Sequence, residues 1–258
     1  MKGNFMFRGV LIIALLCIAS SAIGAEGFPL RANYPDIKIM STEELNASYD
    51  DTIVVDVRST MEFDVAHVSK AAHVPIAKAT FASDLEKIRP KNSATLMAFY
   101  CNGHTCAKSY QAAEAAREAG FTNVFAYDAG IFDWIMAQPD KATLMGKTPA
   151  VQDKIIPKSE LEAKMLSVDQ FMARAAQPNT VNIDIRDPFQ REKIPAIPLL
   201  RNIPLDRLTK LFEKGQFKDK QLLIIDAVGK QVRWLQYYLE EYGYSNYAFL
   251  EGGVKAIK

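Results

Sequence analysis

The second half of this chain repeats the first in order and at nearly constant spacing, which restricts the fold to two copies of one unit rather than a single large core. Met40-Ser41-Thr42-Glu43-Glu44-Leu45 is similar to Leu166-Ser167-Val168-Asp169-Gln170-Phe171. In each, a serine is followed three residues later by Glu or Gln, the requirement of a helix capping box. Ile53 to Arg58 then pairs with Val181 to Arg186, Leu96 to Tyr100 with Leu222 to Ile225, Gly120-Phe121 with Gly243-Tyr244, and Ala129-Gly130-Ile131 with Gly252-Gly253-Val254. All of these lie at offsets of 123 to 128 residues. With 258 residues, 49% of them apolar, the chain can fill two cores of ordinary size.

Each half alternates short apolar or β-branched runs with helical stretches, the pattern of an α/β unit with a largely parallel sheet. In the first half, Ile53–Val57, Thr95–Tyr100 and Val124–Tyr127 are strand candidates. Between the last two, Ala107 to Ala119 carries Ala112, Ala113, Ala116 and Ala119 at helical spacing, with Gly120 placed to end the helix. Residues 138–157 hold Pro139, Gly146, Pro149 and Pro157 and show neither period, so they are expected to be the linker. The expected domains are therefore 35–137 and 158–258.

The first 25 residues read as a secretory signal. Lys2 and Arg8 precede the apolar run Val10 to Ile18, and Ala22, Gly24 and Ala25 stand just before Glu26. The run is short for a membrane span, and Leu16 before Cys17 is too large for a lipoprotein signal. The mature chain is thus expected to be exported, periplasmic if the host has two membranes, and not held in a membrane. The 31 basic and 30 acidic side chains nearly cancel without long runs of one sign, which gives nucleic acid no electrostatic support as a partner.

Removing the signal leaves Cys101 and Cys106, too few for a disulfide framework, so they call for a local, chemical explanation. Cys101 stands where the run Leu96–Tyr100 meets the loop Asn102-Gly103-His104-Thr105-Cys106, just before the Ala-rich helix. A loop curling between a strand end and a helix start aims backbone N–H groups inward, and the helix terminus adds positive potential. A thiol there loses its proton readily and becomes a nucleophile, and the same N–H groups can hold an anion.

Asp56-Val57-Arg58, Glu62-Phe63, His67, Pro75, Tyr100-Cys101, Lys108-Ser109, Ala112-Ala113, Gly120-Phe121 and Gly130-Ile131 together resemble the rhodanese (sulfurtransferase) domain, with a weaker second copy downstream. The resemblance implies two rhodanese-like domains, each a largely parallel five-stranded sheet flanked by helices. It also implies that Cys101 takes a sulfane sulfur from an anionic donor such as thiosulfate, forms a persulfide, and passes the sulfur to a thiol or other thiophilic acceptor, a protein acceptor included. No cofactor and no metal is expected. Two departures stand out. Ala66 and Lys70 replace glycines flanking His67, and the seven steps from Cys101 to Lys108 exceed the family's usual spacing. A related class with an enlarged loop accommodates phosphate or arsenate.

Around the nucleophile, Asp56 and Arg58 are expected to form a structural ion pair, and His67 to pack a turn. His104 either supports the anion or thiolate or is a loop residue without a role. Lys108 is either an anion ligand or a surface lysine. Cys106 is either a redox partner of Cys101 or packing beneath the helix. In the second half the same alignment places Asp226 where the cysteine would be, or Ala227 if the register slips by one, and neither can carry sulfur. The competing readings are an exported thiol redox or persulfide-relay protein using Cys101 and Cys106, and a non-catalytic module that binds an anion or a protein.

Overall fold

The computed structural model describes residues 27–257, so the signal expected over residues 1–25 lies outside the described residues. The first half contains α1 (Thr42–Ala47), β1 (Thr52–Asp56), α2 (Thr60–Val65), β2 (Ala66–Val68), β3 (Ala72–His73), α3 (Phe81–Ile88), β4 (Leu96–Tyr100), α4 (Lys108–Glu118), β5 (Val124–Tyr127) and α5 (Gly130–Ala137). Then come β6 (Ala142–Leu144), α6 (Lys158–Lys164), β7 (Met165–Leu166), α7 (Val168–Ala175), β8 (Thr180–Asp184), β9 (Arg201–Asn202), α8 (Leu205–Glu213), β10 (Gln221–Ile225), α9 (Val232–Glu241) and β11 (Tyr247–Leu250). No helix among the described residues is long and apolar enough to cross a membrane.

The main sheet of each half is parallel, ordered β3-β1-β4-β5 in the first and β7-β11-β10-β8-β9 in the second. The two orders superpose when β5 is set on β11. The place of β7 is then taken in the first half by a single parallel bridge from Ile39 to Ala126. Helices cover both faces, so the central strands read as continuous apolar runs instead of alternating. On one face of the first sheet Val55, Met97 and Phe99 meet Ala112, Ala113 and Ala116 of α4. On the other Val54, Ala98 and Tyr100 meet Ile131 and Trp134 of α5. Both capping boxes read from the sequence are formed, Ser41 with Glu44 and Ser167 with Gln170.

Residues 138–157 hold more structure than their lack of a period implies. Strand β6 pairs antiparallel with β2, and Ala142, Thr143 and Leu144 are buried. Three residues are too few to display an alternation, so only the pairing partner reveals the strand. The segment is thereby bound to the first half before it crosses to the second.

Candidate functional site

Cys101 is the residue at which β4 ends. Its carbonyl accepts the N–H of Ile131 at 3.1 Å, fixing the strand end against the start of α5. The chain then curls, with the Cys106 N–H donating to the Gly103 carbonyl at 2.8 Å, and α4 begins at Lys108. The curl brings Cys106 back over Cys101, and the two are joined as a disulfide with Cα atoms 6.4 Å apart. Cys101 is fully buried, whereas Cys106 is partly exposed. Gly130 backs the loop at φ +74°, where an added Cβ would collide with the backbone of Asn102 and Gly103, so only glycine lets α5 approach so closely.

A buried polar chain reaches the loop from below. Asp56 and Arg58, both fully buried, form an ion pair in which Arg58 Nη2 meets Asp56 Oδ2 at 2.6 Å. Burial works against the Arg58 cation, but Asp56 outweighs it and holds the guanidinium above its ordinary pKa. Arg58 also donates from Nη1 to Asn102 Oδ1 at 3.0 Å, so the pair expected to be structural also grips the loop. The other end of Asn102 donates from Nδ2 to Glu62 Oε1 at 2.7 Å. Glu62 in turn caps α2, accepting from the Ser59 N–H at 3.0 Å, and lies 3.7 Å from Lys108 Nζ. Burial pushes the Glu62 carboxyl up, yet Lys108, Asn102, Ser59 and Arg58 together bring it below the usual carboxylate value.

The loop's outer side is built differently. His104 Nε2 lies 2.8 Å from Asp133 Oδ2, and its ring stacks on Phe28 with centroids 4.2 Å apart. Thr105 is the exposed crest of the loop. His67 stays with its own turn, its Nδ1 2.7 Å from the Phe63 carbonyl and its ring stacked on Phe63. The fold therefore gathers Asp56, Arg58, Asn102, Gly103, His104, Cys106 and Lys108 around Cys101 and leaves His67 at the β2 turn.

The second half has the same backbone arrangement with a different occupant. The Asp226 carbonyl accepts the Val254 N–H at 2.8 Å, as that of Cys101 accepts Ile131, so Asp226 and not Ala227 stands at the strand end. Its carboxylate accepts from the N–H groups of Gly229, of Gln231 at 2.6 Å and of Val232 at 3.4 Å. Gly253, at φ +60°, backs this loop as Gly130 backs the other. The offset between halves is 125 residues at the strand end and 123 at the glycine ending the helix, so the first half is two residues longer between these points. Below it, Asp184 and Arg186 repeat the buried pair, with Nη2 to Oδ2 at 2.9 Å.

The two halves meet beside the first loop. Trp234 of α9 is buried among first-half core residues, with the Arg58 guanidinium 5.5 Å from its ring and Phe132 stacked on it at 5.8 Å. Arg233 lies 4.6 Å over Phe132, and burial holds its guanidinium below the ordinary arginine value. A cleft of about 440 Å³, lined by Leu144, Ile155, Tyr237 and Glu240 among others, lies along the connecting segment and includes none of the loop residues. Glu62, Asp133, Phe28, Arg233 and Trp234 were not singled out as site residues in the sequence. For Glu62 a signal existed, since Ser59 three residues before it forms a further capping box. For the others none did, because their contacts join distant segments.

A family model described as the rhodanese-like domain matches residues 41–137 and again 167–258. No protein of curated function matches the chain. Among solved structures, the chain is similar to the BH2092 protein from Bacillus halodurans at 22% identity and a TM-score of 0.39, over 49% of this chain and 89% of that one. It is similar to a thiosulfate sulfurtransferase from Pseudomonas aeruginosa at 18% identity and a TM-score of 0.38, over 85% of this chain but only 42% of that one. A single-domain sulfurtransferase from Saccharomyces cerevisiae matches at 21% identity and a TM-score of 0.34, over 40% of this chain and 91% of that one.

Proposed function

The chain belongs to the rhodanese-like family, and from that premise we propose that it is an exported sulfurtransferase whose single sulfur carrier is Cys101. One observation carries the reading. At the equivalent place in the second half, loop N–H groups converge on the carboxylate of Asp226. This type of strand-end loop is therefore an anion cradle, and in the first half a thiolate or persulfide takes the carboxylate's place. By that equivalence, loop N–H groups and the start of α4 favour the deprotonated sulfur.

In the reduced protein the Cys101 thiolate attacks the outer sulfur of a sulfane donor such as thiosulfate. The new S–S bond forms as the donor's S–S bond breaks, and sulfite leaves with the bonding pair. The persulfide then gives its outer sulfur to a thiophilic acceptor, a small thiol or a protein. Chemistry of this kind needs neither cofactor nor metal.

The test is incubation of reduced mature protein with thiosulfate. Release of sulfite is expected, and in Cys106→Ala a retained mass gain of one sulfur atom on Cys101. Absence of both would overturn the reading. A second reading, favoured by the Cys101–Cys106 pairing, is a thiol redox protein that carries electrons without sulfur. It predicts reversible loss of both thiols and no sulfite.

A further inference from the structure

We infer that Cys106 resolves the Cys101 persulfide, so that the accepted sulfur leaves as hydrosulfide, the loop closes as a disulfide, and an external dithiol must reopen it. The inference rests on the proposed sulfur transfer at Cys101 and names its physiological acceptor class, a dithiol reductant. Its first support is position. Counted back from the glycine that ends the helix, where the halves are offset by 123 residues, Cys106 corresponds to Gly229. Gly229 is the residue whose N–H reaches the Asp226 carboxylate at the strand end. The same loop position in the first half reaches the strand-end side chain with a sulfur, and the Cα separation of 6.4 Å falls within the range a disulfide spans.

The second support is access. Cys101 is fully buried and Cys106 partly exposed, so a thiol on another molecule meets Cys106 more readily than Cys101. For a persulfide on Cys101 the nearest nucleophile is therefore internal. For the closed disulfide the sulfur open to attack is that of Cys106, and the leaving group is the Cys101 thiolate at the loop and helix start. Attack on the Cys106 sulfur releases the Cys101 thiolate, so the direction of attack regenerates the sulfur acceptor.

The step balances without a further oxidant. The Cys106 thiolate attacks the inner sulfur of the protonated Cys101 persulfide, the Cys101–Cys106 bond forms as the persulfide's own S–S bond breaks, and the outer sulfur departs as hydrosulfide, keeping its proton and taking the bonding pair. Two thiols of the external reductant then become its own disulfide while Cys101 and Cys106 return to thiols. Over one cycle thiosulfate and a dithiol give sulfite, hydrosulfide and the oxidised dithiol. A loop without Cys106 would hold its persulfide until an acceptor reached Cys101 directly.

A single-turnover experiment on the full chain tests this. The protein is reduced, freed of reductant and given one equivalent of thiosulfate. Wild type should release one equivalent each of sulfite and hydrosulfide, lose both titratable thiols and show no persulfide. Cys106→Ala should still release sulfite, but no hydrosulfide, and retain one extra sulfur on Cys101. The sulfite burst in that variant itself reports a folded site, and Cys106→Ser serves if alanine abolishes it. Wild type that releases sulfite yet keeps its persulfide beside a free Cys106 would overturn the inference while leaving sulfur transfer standing. No sulfite from wild type would remove both, by failure of the transfer step.

Discussion

The loop that follows β4 and the loop that follows β10 begin and end alike and differ in what fills them. Both start at a strand end whose carbonyl is tied to the helix opposite, both are backed by a glycine at positive φ, and both stand over a buried Asp–Arg pair. In the second loop the protein supplies its own anion, the Asp226 carboxylate, to the convergent N–H groups. In the first, a cysteine stands at the strand end and the path to the glycine ending the helix is two residues longer. Filling the cradle with a fixed carboxylate stabilises the loop and removes it from chemistry. Leaving it to a sulfur makes it a site whose state depends on what is bound or bonded there.

The largest effect should separate the loops by activity. Cys101→Ser should eliminate sulfur uptake from thiosulfate, while Asp226→Ala should leave the uptake rate within about twofold of wild type, because the change lies outside the Cys101 loop. Sulfite release after thiosulfate treatment reads both. Sulfur uptake by Cys101→Ser would break the contrast between the two halves at its root.

Next in size is the contact through which the second half supports the first. Trp234 is buried against Arg58 and Phe132, so Trp234→Ala should destabilise the protein by about 3–5 kcal/mol. Denaturant unfolding measures it. A loss below about 1 kcal/mol would mean that the halves are tethered and not packed.

Asp226→Ala should cost about 2–4 kcal/mol, since it removes a buried carboxylate on which three loop N–H groups converge. Cys101→Ser, measured with both proteins reduced, should cost less than about 1.5 kcal/mol. Thermal unfolding of the two variants therefore ranks them oppositely to the activity assay. Equal stability losses would show that the second cradle is not held by its carboxylate.

The smallest effect concerns Glu62, which caps its turn as Gln190 does in the second half and in addition accepts from Asn102 of the loop. Its folded carboxyl lies below the ordinary value, so its contribution is complete above about pH 4.3, the value in an unfolded chain, and is lost as pH falls through the folded value. Glu62→Gln should thus cost about 1–2 kcal/mol at neutral pH, with the difference shrinking below about pH 4. Unfolding of both proteins across pH checks the sign. A difference that grows on acidification would contradict the arrangement of Lys108, Asn102 and Glu62.

The sequence was enough for the repeat, the parallel α/β units, the place of Cys101 between strand and helix, and the absence of a thiol in the second half. These follow from local periodicity, capping serines, glycine positions and the bare count of cysteines, all of which are properties of neighbouring residues. Whether the occupant of the second loop is Asp226 or Ala227, which an alignment left open, was decided by the hydrogen bond from Val254, a residue 28 positions away. Strand β6 was hidden for a similar reason, since three residues show no period and only β2 defines them. Tertiary structure alone also set Glu62 beneath Asn102, Trp234 beside Arg58, and Cys106 over Cys101. Each depends on how the path of the chain closes, on which faces pack and how a loop curls, and closure is a long-range property that no local pattern encodes.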